Sequence, residues 1–259
     1  MSITKRQKFV STTLILTAGF FGIQFLDERF RFIAIGLLGL ATLLLFTWSL
    51  REGLGKNATL LVLVLPTLFS LSVGLFWFLL PSSLLTRIPI IMFFSAGIYA
   101  LCLTSNIYTV AAIRTIALLR AARGVGFALT LVTSFLIFDT ILSLRISVLL
   151  VSLAIMLASF PLLLQGLWTI PLEIVISRKL LVMSVIFSLV MGEIGAALHF
   201  WPVKVVVGSL FLTIGMYVVL GLGQAKLEGR LFKQTIREYL VIGFVVFFGM
   251  LIATSWSGI

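Results

Sequence analysis

The chain has 259 residues, of which 61% are hydrophobic and only 10% are charged, and its mean hydropathy is +1.26. A soluble domain has roughly 25% charged residues, so these values exclude a water-soluble globular protein and indicate a polytopic membrane protein. In this class the net charge of +11 is first a signal of topology, and nucleic acid is not expected as a partner. The single cysteine, Cys102, excludes an internal disulfide and a multi-cysteine metal site.

The sequence contains nine apolar stretches, each close to the roughly 20 residues that a helix needs to cross a bilayer. They are predicted near residues 12–26, 32–50, 59–80, 89–110, 125–144, 147–168, 177–198, 205–223 and 240–255. The first is the weakest, and its basic lead without a following small-residue cleavage site favours an uncleaved signal anchor. The connections are too short for a soluble fold, so residues 1–259 are predicted to form a single integral membrane domain. The expected fold is an all-α bundle of about nine transmembrane helices.

The distribution of lysine and arginine predicts the orientation of the chain. With the N-terminus in the cytoplasm, 14 of the 19 basic residues fall in cytoplasmic connections and 5 fall outside, as the positive-inside rule requires. The outer five are Arg29, Arg31, Arg87, Arg145 and Lys204. The N-terminus is therefore predicted to be cytoplasmic and the C-terminus to be outside.

Catalytic and cofactor motifs are missing from the sequence. Glycine-rich nucleotide loops, H-E-x-x-H, G-x-S-x-G and C-x-x-C do not occur. His199 is the only histidine, and it lies beside Trp201 at a predicted outer boundary, where interfacial aromatics collect. No catalytic residue, metal site or cofactor is predicted.

Two acids, Asp139 and Glu193, fall within predicted spans, whereas the other six lie in connections. Each is about five residues, or roughly 7 Å, from the outer end of its span. An ionisable side chain inside a membrane is costly and points to a functional site by default. The helical neighbours of Asp139 offer almost no partner, so a partner from another helix is expected. Glu193 borders a stripe of small residues, which places it at a helix contact.

These acids and the outer cations define a candidate polar site. Its members are Asp139, Glu193, Arg87, Arg145, His199 and Lys204. Three interpretations are open: structural ion pairs, an outward-facing site for a substrate, lipid headgroup or proton, and isolated protonated acids.

Two cytoplasmic connections are basic. In "GQAKLEGRLFKQTIREYL" the cations Lys226, Arg230, Lys233 and Arg237 would form one stripe if the segment were helical. In the other connection, residues 111–124, Arg114, Arg120 and Arg123 occur in a helix-favouring run that Gly124 is predicted to end. These seven cations either fix the topology alone or contact anionic lipid or a protein partner.

The stretch "SNIYTVAAIRTIALLRAARGVGF" and the following "ALTLVTSFLIFDTILSLR", residues 105–145, resemble uncharacterised polytopic membrane proteins of bacterial candidate phyla. The resemblance implies a location in the bacterial cytoplasmic membrane. It implies no activity, so no functional residues are carried over.

The leading functional prediction is a non-catalytic integral membrane subunit or scaffold of a bacterial envelope assembly. Its motivation is the lack of catalytic motifs, the short loops and the two basic connections. The first alternative is a small transporter or channel that uses Asp139 and Glu193, with Pro66 and Pro161 interrupting two spans. The second is a lipid- or polyprenyl-handling enzyme. The expected partners are a bilayer with anionic lipids and proteins in the membrane or on its cytoplasmic face.

Overall fold

The computed structural model describes residues 4–51, 53–54, 58–80, 84–112 and 117–254. Within these ranges the chain forms nine α-helices and a short 3-10 helix, with no strand. The helices are α1 (Lys5–Ile23), α2 (Glu28–Leu50), α3 (Val64–Trp77), α4 (Leu84–Ala111), α5 (Leu119–Ser143), α6 (Val148–Trp168), α7 (Arg178–His199), α8 (Val205–Leu227) and α9 (Lys233–Ala253). The all-helical class is confirmed, and each of the nine predicted spans overlaps one helix.

Eight helical segments of the described chain are long and apolar enough to cross a membrane, so the protein is a multi-pass membrane protein. The exception is α1, because Lys5, Arg6 and Lys8 occupy its first turn. This agrees with the expectation that the first span is the weakest. The orientation of the termini stays a prediction.

The third membrane segment begins with a 3-10 helix, Ala58–Leu63, and becomes α-helical at Val64. Pro66 is the third residue of α3, where its missing N–H costs nothing because the first turn has no intrahelical partner. An α-helix continuing from residue 58 would bring the proline ring against the carbonyl of Val62. The proline therefore sets where the regular helix begins.

The chain divides into two compact units, residues 1–129 with 172–175, and residues 130–171 with 176–259. In the first unit α1 packs on α2 and α4, and α2 packs on α3. Three buried phenyl rings join α1, α3 and α4: the centroid of Phe94 lies 4.7 Å from that of Phe20 and 6.0 Å from that of Phe69. The hydroxyl of Tyr108 donates to the carbonyl of Ala122, 2.9 Å away, and so fixes the start of α5. That the chain forms a single domain stays a prediction.

In the second unit α6 and α7 pack closely through small residues. The hydroxyl of Ser152 donates to the carbonyl of Gly192 at 2.9 Å, and a Cβ added at Gly192 would lie 3.1 Å from the carbonyl oxygen of Ser152. Small residues allow this approach because they leave the two backbones free to come together. A second contact holds α9, because Trp201 Nε1 donates to Thr254 Oγ1 at 2.9 Å and ties the α7–α8 connection to the end of that helix.

We expect Gly192→Val to lower the free energy of unfolding by about 1–3 kcal/mol, because its Cβ would lie 3.1 Å from the carbonyl oxygen of Ser152 and the valine methyls would crowd α6 further. The measurement is the melting temperature of the purified protein in detergent. Gly249→Val is the matched control, since a Cβ at this helical glycine meets no atom within 4 Å. Equal melting temperatures for the two variants would show that α6 and α7 are not held together at Gly192.

Candidate functional site

A cleft of about 300 Å³ opens in the second unit, where α5 and α7 end and α6 and α8 begin. We call it the polar cleft. Its polar lining residues are Arg145, His199, Trp201 and Lys204, and its apolar ones are Leu142, Val151, Leu198, Val203, Val205 and Gly208. Two short connections, between α5 and α6 and between α7 and α8, therefore bring three basic side chains around one hollow.

Arg145 adopts a backbone conformation that normally belongs to glycine. Its φ is +48°, in the left-handed region just after the last turn of α5. A residue with a side chain is strained there by about 1 kcal/mol or more, and such strain is concentrated at binding and catalytic sites. The fold therefore places an arginine at the cleft at a cost in backbone energy.

The cations of the polar cleft are not neutralised by the chain. Within the described ranges, neither Arg145 nor Lys204 has a carboxylate in ion-pair contact, and both are exposed. His199 is also exposed and lies edge-on to Phe200, with ring centroids 5.6 Å apart. The cleft consequently carries net positive charge.

Asp139 lies one helical turn before Leu142, a residue of the cleft wall, but is itself only 5% exposed. Ser209 Oγ lies 2.9 Å from Asp139 Oδ1 and 3.0 Å from the carbonyl oxygen of Val206. A hydroxyl has one proton, so Ser209 donates to one of these two oxygens at a time. The partner of Asp139 shown by the structure is thus a hydroxyl on α8.

The structure brings only part of the predicted polar site together. Arg145, His199 and Lys204 share the polar cleft, and Asp139 is buried one turn from it. Glu193 lies on the exposed side of α7, not at the small-residue contact with α6 where we expected it, because the stripe that packs runs through its neighbour Gly192.

Arg87 belongs to the first unit. Its guanidinium carbon lies 4.8 Å from the centroid of the Phe25 ring, a cation–π contact.

Ser209 and Trp201 were not among the predicted site residues. Ser209 could have been found from its depth in the membrane segment. Asp139 lies four residues before the end of α5 and Ser209 lies four residues after the start of α8, so the two are at similar depth.

The predicted basic stripe of Lys226, Arg230, Lys233 and Arg237 does not form, because one helix does not contain all four residues. Gly229 adopts φ +71° and ends α8. The N–H of Gly229 bonds to the carbonyl of Lys226 at 3.3 Å, and that of Arg230 to the carbonyl of Ala225 at 2.8 Å. This is the hydrogen-bond pattern of a glycine helix cap. Arg230 then pairs with Glu228 at 3.7 Å.

The other basic connection is shorter than predicted. Helix α5 begins at Leu119 and continues through Gly124, so the expectation that this glycine ends a helix is wrong. A glycine inside a helix costs about 1 kcal/mol relative to alanine, which the long apolar sequence around it outweighs. Arg120 and Arg123 therefore lie in the first turns of α5, and Arg114 lies outside the described residues.

The polar cleft suits an anion rather than a metal ion, because two of its polar groups, Arg145 and Lys204, are cations and His199 is the only metal-ligating side chain among its described lining residues. In the portion of the chain that the structure describes, no three His, Cys, Asp or Glu side chains lie close enough together to hold a metal ion. Arginine and lysine bind phosphate and carboxylate groups through charge-assisted hydrogen bonds. An arginine offers two parallel donors, which a lysine does not.

We expect Ser209→Ala to lower the free energy of unfolding by about 1–3 kcal/mol, since it leaves the buried Asp139 without its partner. Asp139→Leu should have a similar effect, whereas Asp139→Asn keeps a polar group towards Ser209 and should cost less. Thermal unfolding in detergent measures all three. Ser147→Ala is the control, because this exposed residue makes no capping hydrogen bond. If Ser209→Ala matched the control, the hydrogen bond would contribute nothing to stability.

Comparison with known proteins gives one match. No curated protein and no solved structure matches the chain. A family model described as "Protein of unknown function (DUF5656)" matches residues 11–253, which extends well beyond the 105–145 stretch and confirms the expectation of an uncharacterised family. With eight apolar helices and a match over nearly its whole length, the chain belongs to the DUF5656 family of proteins of unknown function.

Proposed function

We propose that this protein is a non-catalytic integral membrane protein that binds an anionic group, a phosphate or a carboxylate, in the polar cleft. The observation that carries the proposal is the convergence of Arg145, His199 and Lys204 on one hollow of about 300 Å³. Two of these side chains have no acid partner in the described ranges. A bound anion would supply the missing negative charge.

The walls of the cleft favour an anion that is attached to an apolar chain. Leu142, Val151 and Leu198 line it beside the cations, so one hollow offers both a charged and an apolar surface. Trp201 has the amphipathic character of residues that lie at the level of lipid headgroups. An anionic lipid headgroup therefore fits better than a free solute anion, although both share the same chemistry at Arg145 and Lys204.

The proposal includes the role predicted from the sequence, a subunit of a bacterial envelope assembly in the cytoplasmic membrane. Every residue of α9 is described, and of these Met250 alone is buried. This leaves the helix available to lipid or to a partner helix. Under the predicted orientation the polar cleft is on the outer side of the membrane. The transporter alternative loses support because neither Asp139 nor Glu193 lines the cleft.

We expect Lys204→Gln to weaken the binding of an anionic lipid roughly fivefold, because each basic residue near an anionic headgroup contributes about 1 kcal/mol. The experiment reconstitutes the full chain in nanodiscs and counts retained phosphatidylglycerol and phosphatidylcholine by native mass spectrometry. Titration with inorganic phosphate in detergent distinguishes a free anion from a lipid headgroup.

The control for that experiment is Lys179→Gln, which removes the same charge from the opposite end of α7. Equal retention of both lipids, combined with no phosphate binding, would contradict the proposal. Chemical conversion of the retained lipid would instead support the lipid-handling enzyme.

Arg145→Gly separates a binding role from a structural one. Glycine adopts φ +48° without strain, so we expect thermal stability to stay equal or to rise by about 1 kcal/mol. Anion binding should fall as in Lys204→Gln, because the guanidinium is lost. A fall in melting temperature would show that Arg145 stabilises the fold and would weaken the proposed binding role.

A further inference from the structure

A groove in the first unit runs between α1 and α4 and is separate from the polar cleft. It has a volume of about 530 Å³. Side chains from both helices line it, including Thr13 and Thr17 on α1 and Ser95 and Ala96 on α4. These residues are small, so they leave space between the two helices.

The groove continues towards the N-terminus of α1. Val10 lines both the groove and a second hollow of about 290 Å³, whose other lining residues are Thr4, Arg6, Gln7 and Ser11. The two open hollows thus follow one another along α1, with a basic side chain at one end and small and apolar side chains at the other. We call them together the α1–α4 groove.

This groove extends about 16 Å along α1, because Arg6 and Thr17 are 11 residues apart on an α-helix. With the first span predicted to begin near residue 12, Arg6 lies at the level of the headgroups and Thr17 lies about 8 Å inside the hydrocarbon core. Half of that core is about 15 Å thick. The groove therefore reaches from the headgroups into the upper part of one leaflet.

Arg6 is the cation at the open end of the groove. It is exposed and has no ion-pair partner among the described residues. Thr4 and Gln7 bond to each other in the cap of α1, with the backbone N–H of Thr4 donating to Gln7 Oε1 at 2.9 Å. Lys8 lies over the ring of Trp48, 5.9 Å from its centroid. Of these groups, Arg6 is the one placed to meet an anion above the groove.

We infer that the α1–α4 groove holds one acyl chain of an anionic phospholipid from the leaflet in which α1 begins, with the phosphate on Arg6. The charge at one end, the small side chains between the helices and the extent from the headgroups into one leaflet all match this occupant. The bulky side chains that flank the groove, Leu14 at 64% and Met92 at 67% exposure, would lie on either side of the chain.

The test is lipid retention by the full chain, measured by native mass spectrometry after titration with phosphatidylglycerol or phosphatidylcholine. Arg6→Gln should weaken phosphatidylglycerol binding roughly fivefold and leave phosphatidylcholine binding unchanged. Ala96→Phe should fill the groove and reduce the retention of this lipid several-fold. The matched controls are Arg51→Gln, another exposed arginine of the first unit, and Ala18→Phe, an exposed position on α1 outside the groove.

Both tests are made in the Lys204→Gln background, so that lipid in the polar cleft does not mask the result. If Ala96→Phe lowers the melting temperature, Ser95→Leu replaces it as the groove-filling variant. Retention unchanged by Arg6→Gln and by groove filling would overturn the inference. So would loss of a protein dimer, rather than of a lipid, on filling the groove, since this would identify a second copy of the chain as the occupant.

Discussion

The hydrocarbon core of a bilayer contains no water to hydrogen-bond a polar group, so each polar group at that depth must find a partner within the protein. The α-helix satisfies the backbone, and many buried hydroxyls follow the same rule, whereas those of Thr12, Thr17 and Ser159 have no hydrogen-bond partner among the described residues. Thr42, Ser134 and Ser184 each donate to the carbonyl four residues earlier, at 2.8 Å. The carboxyl group of Asp139 has no such hydrogen bond within its own helix. Its partner is Ser209, which lies on another helix. The hydrogen bond links α5 to α8 beside the polar cleft.

The same constraint explains why charge collects at helix ends. Arg145 lies just after α5, His199 ends α7, and Lys204 precedes α8, so all three side chains reach the boundary of the membrane segments. Because the short α5–α6 and α7–α8 connections lie at the same end of the second unit, the three side chains surround one hollow. The proposed anion site thus follows from membrane solvation and short loops. The left-handed backbone of Arg145 is the feature that solvation alone does not explain.

The sequence predicted the helices well because long apolar runs have few other structures available in a membrane. Helix ends were predicted less well: α9 begins at Lys233 rather than at residue 240, and α5 begins at Leu119 rather than at residue 125. Long basic side chains reach the membrane surface from inside a helix, so a charge does not mark where the helix stops. The end of α8 could be predicted from the sequence, because a glycine, Gly229, marks the turn. The Asp139–Ser209 contact could not be predicted from hydrophobic periodicity, because it depends on which helices become neighbours.

The most direct test of the polar cleft as an anion site is an experimental structure of the protein in a bilayer that contains phosphatidylglycerol. The account predicts phosphate density within hydrogen-bonding distance of the side chains of Arg145 and Lys204, with Asp139 still bonded to Ser209. A cleft without lipid, in which the guanidinium of Arg145 turns inward to pair with Asp139, would contradict it.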